Sequence, residues 1–246
     1  MIAEARRAVR RERRRTVDER EAFVAFADAV REVPSDDPST GVRVGARLAS
    51  PDTAGSTRAV REAYERTVMA VPHYHEEYDD TYVESLTAEL GAAVAAAATG
   101  PALTPAARSG IVDAAESARA DRARFVEALD AEDRALRDAD ERLGEVLAEA
   151  AELDTEPLES LRFGSLDGIR ARLQTLEAKV ETVGEERQAG LRQQAADLSL
   201  PATAPDLPTY VYQDCEATYP VLSVVARASD VLGRVRRDVE HAMARV

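Results

Sequence analysis

The sequence predicts an all-α protein, and three observations predict it. Helix-forming residues dominate the 246 positions, and the eleven prolines are confined to a few breaks. Apolar residues recur at spacings of four and three through the middle of the chain. No stretch alternates apolar and polar residues long enough to make a strand of consequence. The expected architecture is an elongated antiparallel helical bundle, a single domain over 1–246. At its centre stands a long coiled-coil-like hairpin of about 104–153 and 165–198.

The elements follow in chain order. A first helix covers about 1–33, Arg-rich at its start, with Phe23, Phe26 and Val30 late on one face. Pro34, Pro38 and Pro51 mark a polar loop. Residues 57–98 hold two helices around Pro72. One covers about 57–71 with Val60, Tyr64 and Val68 on a face, and the other about 74–98. Thr104 and Pro105 suit the cap and first turn of the longest helix. Its seam reads Ile111, Ala115, Ala118, Arg122, Phe125, Leu129, Glu132, Leu136, Ala139, Leu143, Val146, Ala150, Leu153, and eleven of these thirteen positions are apolar. At about 1.5 Å per residue such a rod runs roughly 75 Å.

A second seam follows: Leu166, Ile169, Leu173, Leu176, Val180, Val183. The connector between the seams carries Pro157 and Gly164, with Ser165 as the expected N-cap. A connection this short returns the chain antiparallel, so the seams face each other. Pro201, Pro205 and Pro208 read as a stiff linker. The last region, 209–246, carries a helix from near Tyr219 and Pro220, with Val221, Leu222, Val225, Val231, Leu232, Val235 and Val239 apolar.

Charge sets the environment. Thirty-one arginines stand beside one lysine, Lys179, against 46 Asp and Glu, and the net charge is −14. There is no Asn and no Trp. Carboxylates hold water and hydrated cations, whereas lysine stems add apolar area that concentrated salt drives toward association. The composition therefore reads as that of a salt-adapted cytoplasmic protein. Aromatics make up only 4%, so thin seams between helices are expected rather than a thick interior. A lone cysteine, Cys215, excludes an internal disulfide and reads as a small apolar residue. The Arg-rich start has no apolar run behind it, so neither a secretory leader nor a membrane span is expected.

Three groups of residues are candidate sites. His73, His75, Glu76, Glu77 and Asp80 gather two of the three histidines beside carboxylates. On a continuous helix His73 would face Glu77 and His75 would face Asp79, a spacing that can chelate Zn²⁺, Mn²⁺ or Fe²⁺. No second His/Glu box follows, so the competing reading is an acidic first helical turn. Tyr74, Tyr78 and Tyr82 form an i, i+4, i+8 row continued by Leu86 and Leu90. With Tyr210, Tyr212 and Tyr219 they account for six of the seven tyrosines. They are expected to meet and close one end of the bundle as a ligand pocket, their hydroxyls finding partners if buried.

Arg6, Arg7, Arg10, Arg11, Arg13, Arg14 and Arg15 form the third group, an anion- or partner-binding helix. Nucleic acid is disfavoured as that partner. Seven phosphate contacts carry a log–log salt slope of about −0.9 each, which removes about eight decades of affinity between roughly 0.15 M and 3 M salt. No nucleophile motif, phosphate loop or Cys/His knuckle is present.

The blocks Val68-Met69-Ala70-Val71-Pro72-His73-Tyr74 with Glu76-Glu77-Tyr78, and Leu207-Pro208-Thr209-Tyr210 through Thr218-Tyr219-Pro220-Val221-Leu222, carry a resemblance. With the Arg-rich start, they make the chain resemble, over most of its length, an uncharacterised family of helical proteins from halophilic archaea. The resemblance implies salt adaptation and brings no activity, cofactor or site residue. The function expected is a non-enzymatic one, protein interaction or structural support, through a protein partner or self-association and with no cofactor. Two alternatives stand beside it: a regulator sensing a small ligand between the tyrosine clusters, and a metal-dependent enzyme using the 73–80 cluster.

Overall fold

The computed structural model describes residues 1–35, 53–153, 157–198 and 206–245. All regular structure among the described residues is helical. The helices are α1 (Ile2–Glu32), α2 (Thr53–Thr67), α3 (Tyr74–Glu77), α4 (Tyr82–Leu90), α5 (Ala92–Ala98), α6 (Pro105–Leu153), α7 (Phe163–Leu198), α8 (Leu207–Val211) and α9 (Pro220–Met243). The proline-marked loop after Pro34 and most of the linker after Leu198 lie outside the described residues.

The chain packs as two compact units. One is Arg13–Glu127; the other combines Met1–Glu12 with Ala128–Val246. Both α1 and α6 supply residues to each unit.

In the 13–127 unit, Phe23, Phe26, Val60, Tyr64, Leu86, Leu103 and Ile111 are essentially inaccessible to solvent. Their rings are packed edge to face: Phe26 and Tyr64 lie 5.1 Å apart, Tyr64 and Tyr82 5.6 Å. This geometry adds roughly 0.5–1.5 kcal/mol per pair beyond area burial.

The helix expected over 74–98 is instead three helices, α3, α4 and α5. Two local causes break it. Asp79 adopts φ 46°, a left-handed conformation that a helix cannot continue through, and Gly91 takes φ 88° between α4 and α5. Between the first two pieces, Thr81 and Glu84 form a capping box that starts α4 afresh: the Thr81 amide donates to Glu84 at 3.0 Å. A three-residue 3₁₀ turn, Val68–Ala70, ends the helix before Pro72.

In the other unit the hairpin forms as the seams require. Leu129, Leu136, Leu143, Val146 and Ala150 of α6 are buried, as are Leu166, Leu173, Leu176, Val180 and Val183 of α7. Ion pairs fix the antiparallel register: Arg142 with Glu186, Arg172 and Lys179 with Glu149, and Arg187 with Glu132. Helix α9 then packs along α7, burying Val221, Leu232, Val235 and Val239. The approach is close at Gly184, where a Cβ would stand 3.3 Å from Val225 Cγ1. Pro208 is not linker but lies within α8, whose start is capped by Asp206 accepting from the Thr209 amide at 2.9 Å.

Candidate functional site

Two seam positions of α6 are not apolar, Arg122 and Glu132, and each stands at the centre of a polar network, one per unit. In the 13–127 unit Arg122 reaches back across the chain. Its Nε donates to Glu19 Oε2 at 3.2 Å and its Nη2 to Glu89 Oε2 at 2.6 Å, while the guanidinium lies 5.0 Å over the Phe23 ring. Glu19 is shared. Its Oε1 stands 3.1 Å from His73 Nε2 and accepts the Tyr78 hydroxyl at 3.1 Å. Burial pushes the Glu89 carboxyl above its ordinary range, and Arg122 only partly opposes it.

Beside this network lies a cavity of about 70 Å³, lined by Glu19, Phe23, Tyr74, Asp80, Glu89 and Arg122 among others. The Tyr74 hydroxyl is buried without a hydrogen-bond partner. Burial raises it, tempered by the nearby Ser85 hydroxyl, but Ser85 makes its own bond, 3.0 Å, to Tyr64. Tyr82 is buried as well, its hydroxyl also unpartnered and its pKa pushed up to about 12 by burial. It borders a wider recess of about 360 Å³ that also includes Arg58, Arg61 and Thr99. Arg61 lies 5.3 Å over the Tyr82 ring.

In the other unit, Glu132 is 2% exposed and accepts both guanidinium nitrogens of Arg187, at 2.9 and 2.6 Å. The buried Tyr212 hydroxyl donates to the same carboxylate, so Glu132 joins α6 and α7 to the end of α8. Tyr212 is raised far above its ordinary value, first by burial and then by Glu132.

The tyrosines therefore divide: Tyr74, Tyr78 and Tyr82 belong to the 13–127 unit, and Tyr210, Tyr212 and Tyr219 to the other. Tyr210 and Tyr219 are 42% and 40% exposed. Their hydroxyls donate to Glu12 at 2.8 Å and to Asp206 at 3.2 Å.

Within the 73–80 group, His73 is buried against Glu19, whereas His75, Glu76 and Glu77 are exposed. Glu77 pairs with Arg15. The turn at Asp79 takes His75 and Asp79 off a common helix, so the spacing expected for chelation does not form there. Among the described residues no group of three His, Cys, Asp or Glu side chains is arranged to hold a metal ion.

The arginines of α1 also separate. Arg6 donates to Asp133 at 3.1 Å and Arg10 stands 3.4 Å from the same carboxylate. Burial alone would raise Asp133, but hydrogen bonding and charge from Arg6 and Arg10 hold it below the usual range. Arg7, Arg11 and Arg14 are exposed, and Arg13 is half-buried.

Glu19, Glu89, Arg187, Glu12 and Asp206 were not among the residues expected at a site. Arg122 and Glu132 carried a signal in the sequence, as the two interruptions of an otherwise apolar seam.

These features define an all-α protein with a partly buried ion network in the 13–127 unit and a buried one in the other. The chain belongs to the family described as Domain of unknown function (DUF7260), whose model matches residues 1–236. That match takes in both tyrosine-bearing blocks. No curated protein matches the chain, and no solved structure does. No helix among the described residues is long and apolar enough to cross a membrane.

Proposed function

We propose that this protein is a non-enzymatic interaction protein of a salt-adapted, halophilic archaeal cytoplasm, and that it engages a protein partner or a second copy of itself through Tyr210 and Tyr219. The observation that carries this reading is the state of those two rings. Each is about two-fifths exposed while its hydroxyl is tied down, one to Glu12 of α1 and one to Asp206, the cap of α8. An exposed tyrosine held at its tip is pre-ordered, so docking on it loses little side-chain entropy.

The exposed Arg11 directly precedes Glu12. Tyrosine and arginine are the residue types enriched at protein contacts. Ring burial also suits the proposed medium. Molar salt screens surface ion pairs almost completely, but leaves apolar contact intact.

The salt-adapted part of the reading is supported by the 46 acidic residues and the near-total replacement of lysine by arginine.

Sedimentation velocity and cross-linked affinity capture, both in molar KCl, test the interaction. Tyr210→Ser with Tyr219→Ser is expected to abolish the self-association or the captured complex while circular dichroism stays unchanged. The Phe versions should retain most of it. Complexes that survive the double Ser change intact would refute the role given to these rings.

A further inference from the structure

We propose that the cavity beside Arg122 is a binding site for a small primary ammonium ion, such as the head of a short alkylamine. Every residue that builds it belongs to the 13–127 unit, so the inference is independent of the Tyr210 and Tyr219 surface.

The charge of the walls comes first. Glu19, Asp80 and Glu89 line the cavity against one arginine, Arg122, and that arginine is already hydrogen-bonded to both glutamates. An anion would meet excess negative charge and no unspent cation. A cation would meet the reverse.

The unused acceptors come second. Both oxygens of Glu19 are occupied, by His73, Tyr78 and Arg122. Glu89 uses Oε2 for Arg122, and its Oε1 has no hydrogen bond to a described residue. Asp80 has none either. The Tyr74 hydroxyl is 97% withdrawn from solvent with its residue (3% exposed) and lacks a partner. Tyr74 lines the cavity together with Asp80 and Glu89. A buried hydroxyl left unpaired has lost its hydrogen bond to water without replacement, so a ligand that satisfies it is favoured. An R–NH₃⁺ group offers three N–H donors to these three acceptors.

Shape decides between an organic and an inorganic cation. The side chains are not arranged as a metal-holding group, and apart from Ser85, whose hydroxyl is bonded to Tyr64, the rest of the lining is apolar or aromatic: Phe23, Val68, Val71, Tyr74, Tyr78 and Ala88. Aromatic faces attract ammonium groups, and the apolar wall accommodates a short alkyl tail. The cavity of about 70 Å³ is several times the roughly 10–15 Å³ that one water requires. Tyr78 and Ala88 line it and are exposed, so the site is reachable from solvent.

The test is a titration of ethylammonium chloride into the full chain carrying ring-labelled tyrosine, followed by NMR at constant total chloride in KCl. A saturable shift of the Tyr74 and Tyr78 ring signals is expected. Tetramethylammonium, which has no N–H donor, should neither reproduce nor compete with it. Glu89→Gln should weaken binding about tenfold or more, the change that follows from losing one hydrogen bond to a charged group. Should that variant fold poorly, Tyr74→Phe, which removes only the unpaired hydroxyl, should still weaken binding severalfold. The proposal is overturned if no saturable shift appears up to the concentration of the supporting KCl. It is equally overturned if tetramethylammonium gives the same shift, or if ethylammonium binds Tyr74→Phe as tightly as the parent chain.

Discussion

Glu132 occupies a position where its neighbours on the seam, Leu129 and Leu136, are both fully buried. A carboxylate there is tolerable because Arg187 meets it with two hydrogen bonds, Tyr212 with a third and Gln194 with a longer fourth at 3.4 Å. Such a pair is asymmetric in its energetics. Removing one partner leaves an uncompensated buried charge, whereas replacing both with apolar residues is often neutral or stabilising. Arg187→Met is therefore expected to destabilise the fold by about 3–5 kcal/mol in denaturant melts at fixed KCl. Glu132→Leu combined with Arg187→Met should recover most of that loss. A single variant as stable as the parent would show that water reaches Glu132. The network's importance was only half legible: the seam marked Glu132 as an exception, but nothing local pointed to Arg187, 55 residues away. The hydroxyl of Tyr212, one of the six tyrosines expected at a ligand pocket, donates to Glu132, a partner no spacing in the sequence indicates.

At the scale of elements, periodicity was readable and interruption was not. The 4-3 rows of α6 and α7 fix which face each helix buries, because residues three and four apart share a face whatever the helix later meets. The Tyr74–Ala98 stretch misled for the same reason. Its row of Tyr74, Tyr78, Tyr82, Leu86 and Leu90 is helical in spacing, yet Tyr74, Tyr82, Leu86 and Leu90 are buried while Tyr78 is 41% exposed. The left-handed turn at Asp79 and the new start at Thr81 reset the phase. Gly91 is the second reset. A side chain there meets no neighbour within 4 Å, so space is not the obstacle; the φ of 88° is. Gly91→Ala should cost on the order of 1–3 kcal/mol through that conformation alone (φ 88°, ψ 156°), read as a lower melting temperature. An unchanged melt would mean that the α4–α5 junction relaxes to a continuous helix. Asp79, at φ 46°, is of a residue type that tolerates the left-handed region.

For the whole molecule the governing quantity is charge. A net −14 on 246 residues repels itself, and that repulsion weakens as the screening length falls from about 10 Å in 0.1 M salt to about 3 Å in 1 M. Helicity and melting temperature are expected to rise as KCl goes from about 0.1 M to several molar, followed by far-UV circular dichroism. Full helicity with an unchanged melting temperature in dilute buffer would contradict the salt-adapted reading. By itself, the sequence determined that the chain is helical, where its long seams lie, which two seam positions are polar, and the sign of its surface. Those properties are local or additive: a helix face depends on residues one turn apart, and charge is a sum. Only the tertiary structure decided which polar groups meet. Arg122 finds Glu19 across 103 residues and Tyr210 finds Glu12 across 198. Such pairings depend on how helices cross and slide against one another, which side-chain packing sets and no spacing along the chain records.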